Sequence, residues 1–227
     1  MHRPFKPPAI AALLYVATWI VGLSIWPANP SVTSSRREIV TAYAGHRALA
    51  TAQFMLVEGL AAVALACVVV ALAPRVRAIG LTACAISLTQ CVLGVILATS
   101  SGSPAHLFEL INRLDGVKML VLAAGIASAT LAPRESGLPA RLAYVGVPAV
   151  VALVASGIGY LARDGALAGA AAASLPLLLL WVLSAGLTAA DGARRFKPRS
   201  SRAFPCAAWS RGPGRRSPRS ARSDRAA

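Results

Sequence analysis

The hydrophobic positions of this chain fall into long runs, not into the alternating or one-sided patterns of water-soluble elements. Six runs are apolar enough to span or nearly span a bilayer: residues 9–26, 51–73, 79–98, 117–132, 143–162 and 171–190. A spanning helix needs roughly 17–25 residues. The fourth run is short on its own and reaches full length if its helix begins upstream, within HLFELINRLDG (residues 106–116). The pattern predicts an all-α fold: a six-transmembrane-helix bundle over residues 1–192 and a separate tail, 193–227. The first run follows a basic start but exceeds the roughly 7–15-residue core of a signal peptide, and no A-x-A site follows it. It reads as a retained span.

The connections carry stop and start signals. Pro74, Pro133 and Pro139 stand where helices should end or begin. Residues 27–50 and 99–116 form two longer loops. Ser35 and Glu38 fit a capping box, and Ser103-Pro104 fits an N-cap followed by proline at the first helical position. Both loops are therefore expected to fold into helices that run on into spans two and four. Gly165 and Gly169 make a GxxxG match, which an alanine-rich chain produces by chance.

Composition supports the membrane assignment. The chain is 56% hydrophobic and only 14% charged, against about 25% charged in soluble domains. Its net charge of +15 is uneven: residues 193–227 hold eleven basic residues and one acid, +10 of that total. A Pro-, Gly-, Ser- and Arg-rich tail cannot form a core and is expected to be disordered. It suits contact with anionic lipid headgroups, and equally a plainer role in fixing topology with no dedicated partner. Nucleic acid is not expected as a partner, because the tail lacks aromatic spacing and the chain sits in a bilayer.

Lys and Arg mark the cytoplasmic side. With six spans both termini share a side. That side holds 17 basic residues with the tail, and the other holds six: Arg36, Arg37, Arg47, Arg113, Lys118 and Arg163. Both termini are expected in the cytoplasm and the two longer loops outside. Without the tail the count ties at six against six.

Ionisable residues inside spans carry the candidate chemistry. Glu58 lies about 10 Å below the outer end of span two and Gln90 about 12 Å deep in span three, at 1.5 Å per residue. Lys118 falls in the first turn of span four, with Asp115 one turn above. Glu58, Gln90, Asp115 and Lys118 thus share the outer half of the bundle. Tyr43, Arg47, Thr51 and Glu58 would form one descending stripe on a continuous helix. In the 106–116 segment, Leu107, Leu110, Ile111 and Leu114 form an apolar face. Glu109, Asn112 and Arg113 lie opposite, as an amphipathic helix at the interface would place them. The plainer reading is that Glu58–Lys118 is a buried ion pair fixing helix register and Gln90 an interhelical hydrogen bond. The sharper one is a small polar site open to the outside, drawing on Glu58, Gln90, Asp115, Lys118, Arg47 and Asn112.

Other chemistry is thin. Four cysteines show no CxxC pair and read as small apolar side chains. His46 and His106 both fall just outside spans, a weak arrangement for a metal or haem. No GxSxG, HExxH or P-loop occurs. No cofactor is expected.

Ser136 to Leu161, SGLPARLAYVGVPAVVALVASGIGYL, and the stretch LFELINRLDGVKML resemble patterns in bacterial, actinobacterial-type multi-pass membrane proteins of a domain-of-unknown-function family. The resemblance covers spans one to five, not the tail, and implies no activity. A bacterial plasma membrane location follows as an expectation. The leading functional reading is a non-enzymatic membrane protein of structural, regulatory or sensing type. The alternative is a small transporter or ligand-binding protein, and an intramembrane enzyme ranks third. A homo-oligomer is left open.

Overall fold

The structure is a computed structural model that describes residues 7–26, 30–99, 104–131 and 138–195. These residues are helical with short connections, and no strand occurs among them. Among the described residues, six helices are long and apolar enough to cross a membrane. The first is α1 (Pro7–Ile25). A separate helix, α2 (Arg36–Gly45), precedes the second. That second long helix is composite: α3 (Arg47–Phe54), a π-helical turn (Met55–Leu60) and α4 (Ala61–Val70). The third is α5 (Pro74–Thr99) and the fourth α6 (Pro104–Leu131). A 3₁₀ turn, Ala140–Leu142, leads into the fifth, α7 (Ala143–Ala162). The short α8 (Gly165–Ala168) precedes the sixth, α9 (Ala171–Arg195).

Local signals account for most boundaries. The capping box is formed: Glu38 N–H donates to Ser35 Oγ at 3.3 Å, and Ser35 N–H donates to Glu38 Oε2 at 2.7 Å. Pro74 and Pro104 each open a helix, where the missing N–H costs nothing. Pro133 and Ser103 lie outside the described residues. The fourth span does begin upstream, at Pro104. The last helix runs past the expected span end to Arg195, and the tail from residue 196 lies outside the described residues.

The long helices pack in chain order and close on themselves: α1 on α4, α4 on α5, α5 on α6, α6 on α7, α7 on α9, and α9 back on α1. The interior favours small side chains such as Ala12, Ala61, Ala149 and Ala185. Large apolar side chains face outward, among them Ile20, Val92, Val147 and Val151, each more than half exposed. A close helix approach pairs Gly116 of α6 with Gly157 of α7. A Cβ on Gly116 would stand 2.8 Å from the Gly157 carbonyl oxygen, so neither position tolerates a side chain without moving backbone. The Gly165/Gly169 pair does no such work: a Cβ on Gly165 would meet only the Thr33 side chain, at 3.4 Å.

Two expectations need correction. The chain does not run straight from α2 into the second span, because His46 (φ −133°, ψ 33°) breaks the helix. The stripe from Tyr43 through Arg47 to Glu58 therefore does not form: Tyr43 is buried and Arg47 exposed. In the 106–116 segment the inward face is Phe108 and Ile111, continuing to the half-buried Asp115 and buried Lys118, while Leu110 is 44% exposed. Of the predicted apolar face, Ile111 is buried and Leu107 packs against the same cluster, while Leu110 turns outward and the face continues into Asp115 and Lys118.

Candidate functional site

Lys118 lies at the centre of the polar residues. Its ammonium donates to both oxygens of Glu58, at 2.7 and 2.8 Å, and meets Asp115 Oδ1 at 2.7 Å. All three of its N–H donors thus face carboxylate oxygens. The side chains of Lys118 and Glu58 are 6% and 8% exposed, and that of Asp115 is 23% exposed.

Backbone geometry brings these groups together. Glu58 sits within the π-helical turn, which carries one residue more per turn than an α-helix. The extra residue sends Val57 and Glu58 inward and leaves Met55 54% exposed. On α6, Asp115 and Lys118 are an i, i+3 pair flanking Gly116. The tight Gly116–Gly157 crossing holds that turn against α7.

A cavity of about 380 Å³ adjoins the cluster. Glu58, Asp115, Lys118, Ser87 and Asn112 give its polar wall, and Tyr15, Trp19, Phe108 and Tyr160 its aromatic wall. It extends to Pro30, Ser31 and Val32, beside α2. A chain of ring contacts seats α2 there: His46 stacks on Trp26 at 6.0 Å, Trp26 meets Tyr43 edge-on at 5.2 Å, and Tyr43 meets Phe108 at 6.3 Å. Tyr43 lines the cavity, and burial pushes its phenol above the ordinary value.

Of the six predicted residues, Glu58, Asp115, Lys118 and Asn112 line this cavity. Gln90 does not: it is fully buried, and its Nε2 donates to the Ile111 carbonyl at 3.1 Å, tying α5 to α6. Arg47 lines neither this cavity nor its neighbour described below. The Glu109–Arg113 pair forms at 2.7 Å on the exposed side of α6. Among the described residues no group of three or more His, Cys, Asp or Glu converges as a metal site.

Sequence reasoning missed Tyr15, Ser87, Tyr160 and Gln53. Gln53 is buried, and its amide donates to the Gly22 and Trp26 carbonyls at 3.3 and 3.4 Å, satisfying the C-terminal end of α1. Its signal was an amide five positions before Glu58 in the same apolar run. The aromatic wall left no comparable signal, since a tyrosine in a span reads equally well as packing.

No family model, curated protein or solved structure matches this chain.

Proposed function

We propose that this chain is a non-enzymatic, multi-pass integral membrane protein that holds a small ligand in a cavity opening at the outer face. Six long apolar helices, an apolar outer surface and an inward-facing polar cluster support the membrane assignment. The observation that carries the ligand reading is the cavity itself. A register-fixing ion pair needs no adjoining space, whereas about 380 Å³ running from Glu58 to Pro30 lies within the range of small-molecule sites. The basic balance of the whole chain favours cytoplasmic termini in a bacterial plasma membrane, with α2 and the cavity mouth outside.

The test is sided thiol labelling in whole cells, with Cys67, Cys84 and Cys91 replaced by alanine. Ser87→Cys reacts with an impermeant reagent applied outside, and the native Cys206 reacts only after the cells are opened. An inert Ser87→Cys beside a reactive Arg113→Cys refutes the open cavity. External reaction of Cys206 refutes the orientation.

A further inference from the structure

A second cavity, of about 230 Å³, lies against the first and shares four lining residues with it: Val32, Phe108, Asn112 and Tyr160. Its character is different. Three arginines from three elements line it: Arg36 from the start of α2, Arg113 from α6, and Arg163 from the end of α7. Among the described residues Glu109 is the only acid in its wall, and Arg113 already pairs with it. Arg36 and Arg163 have no acidic partner among the described residues. Arg163 also holds a left-handed backbone (φ 57°, ψ 34°), the only non-glycine residue with positive φ among those described. Glycine is the ordinary choice at such a helix end, so the side chain at this position is kept against backbone preference.

We infer that the two cavities together bind one anionic amphiphile, a carboxylate or phosphate head on an apolar body. The head meets Arg36 and Arg163, and the body passes Phe108 and Tyr160 into the larger cavity. The inference rests on the ligand reading of that larger cavity and names the ligand class. Guanidinium groups match carboxylate and phosphate oxygens two at a time. Lys118 does not draw the anion deeper, because its three N–H donors are committed to Glu58 and Asp115. A small inorganic anion would gain nothing from the aromatic wall. Trp19 and Leu23 of α1 and Ala172 of α9 border the larger cavity, with Leu23 and Ala172 exposed. The apolar body therefore has a route from the lipid side.

The test uses the full chain in nanodiscs of neutral lipid, with three probes: 11-bromoundecanoate, 11-bromoundecanol and 11-bromoundecyl-trimethylammonium. Bromine quenches tryptophan on contact, and the signal is the part of the quenching lost in Trp19→Phe. The carboxylate is expected to quench saturably, and Arg36→Gln with Arg163→Gly to weaken it at least roughly tenfold, in line with the loss of charge-assisted hydrogen bonds. Both arginines are exposed, and glycine suits the left-handed position, so the fold is retained. Lysine at both positions restores the charge but not the paired contacts, so binding recovers only in part. If the alcohol or the ammonium saturates as well as the carboxylate, or the double variant binds unchanged, the anion inference falls and the ligand cavity stands. If none of the three saturates, the ligand cavity falls and the inference with it.

Discussion

Lys118 on α6 donates to both carboxylate oxygens of Glu58, 60 residues earlier in the chain, with both side chains under a tenth exposed. Removing either partner leaves a buried charge with fewer contacts, which costs more than the pair contributes. Glu58→Gln and Lys118→Met should each destabilise by about 3 kcal/mol. The double variant should cost less than the two singles summed, by roughly 1–3 kcal/mol. Reversible unfolding in detergent measures this cycle. Strict additivity would mean that the two residues do not act as a pair.

The crossing beside that pair makes a second prediction. Gly116→Ala drives a methyl against the Gly157 carbonyl oxygen, which is backbone and cannot swing away. A loss of about 1–3 kcal/mol is expected. Gly45→Ala, where a Cβ meets nothing within 4 Å, serves as the control. Equal melting temperatures for the two variants would show that α6 and α7 are not held at this point.

A third prediction concerns the π-helical turn. Deleting one residue from an α-helix rotates everything beyond it by about 100°. Deleting one from a π-helical turn returns that turn to α geometry and leaves the flanking faces in place. Deletion of Met55, within Met55–Leu60, should therefore yield a folded, monodisperse protein. Deletion of Ala66, within α4, should not. Size-exclusion profiles and melting curves distinguish the two, and matching behaviour would contradict the proposed role of the turn.

How far the sequence could be read follows from what each signal encodes. Long apolar runs encode helix length, so all six long helices were legible, and the capping box at Ser35 fixed the start of α2. The Glu58–Lys118 pair was legible because two opposite charges in apolar runs at matching depth have few other partners. The π-helical turn was not, since MLVEGL has no feature separating it from an α-helical segment. The break at His46 was equally silent, and it moved Arg47 away from Glu58. The face drawn through Leu107, Leu110, Ile111 and Leu114 held at Ile111 and Leu107 and failed at the exposed Leu110, because period alone does not rank the residues along an apolar stripe. The arginine cavity was hidden for a different reason. Arg36, Arg113 and Arg163 are distant in sequence, and only the packing of α2, α6 and α7 brings them together.

On the proposed reading, the space beside Glu58 and Lys118 is a water-accessible cavity within the bundle. Ser87 and Thr89 lie two residues apart on α5, at nearly the same depth; Ser87 lines the cavity and Thr89 is exposed on the outer surface. Nitroxide labels at Ser87→Cys and Thr89→Cys, in nanodiscs, report access to a water-soluble nickel chelate and to oxygen, which concentrates in lipid. Stronger relaxation is expected from the nickel chelate at residue 87 and from oxygen at residue 89. A lipid-like profile at both positions, or a label at residue 87 that neither agent reaches, would contradict it.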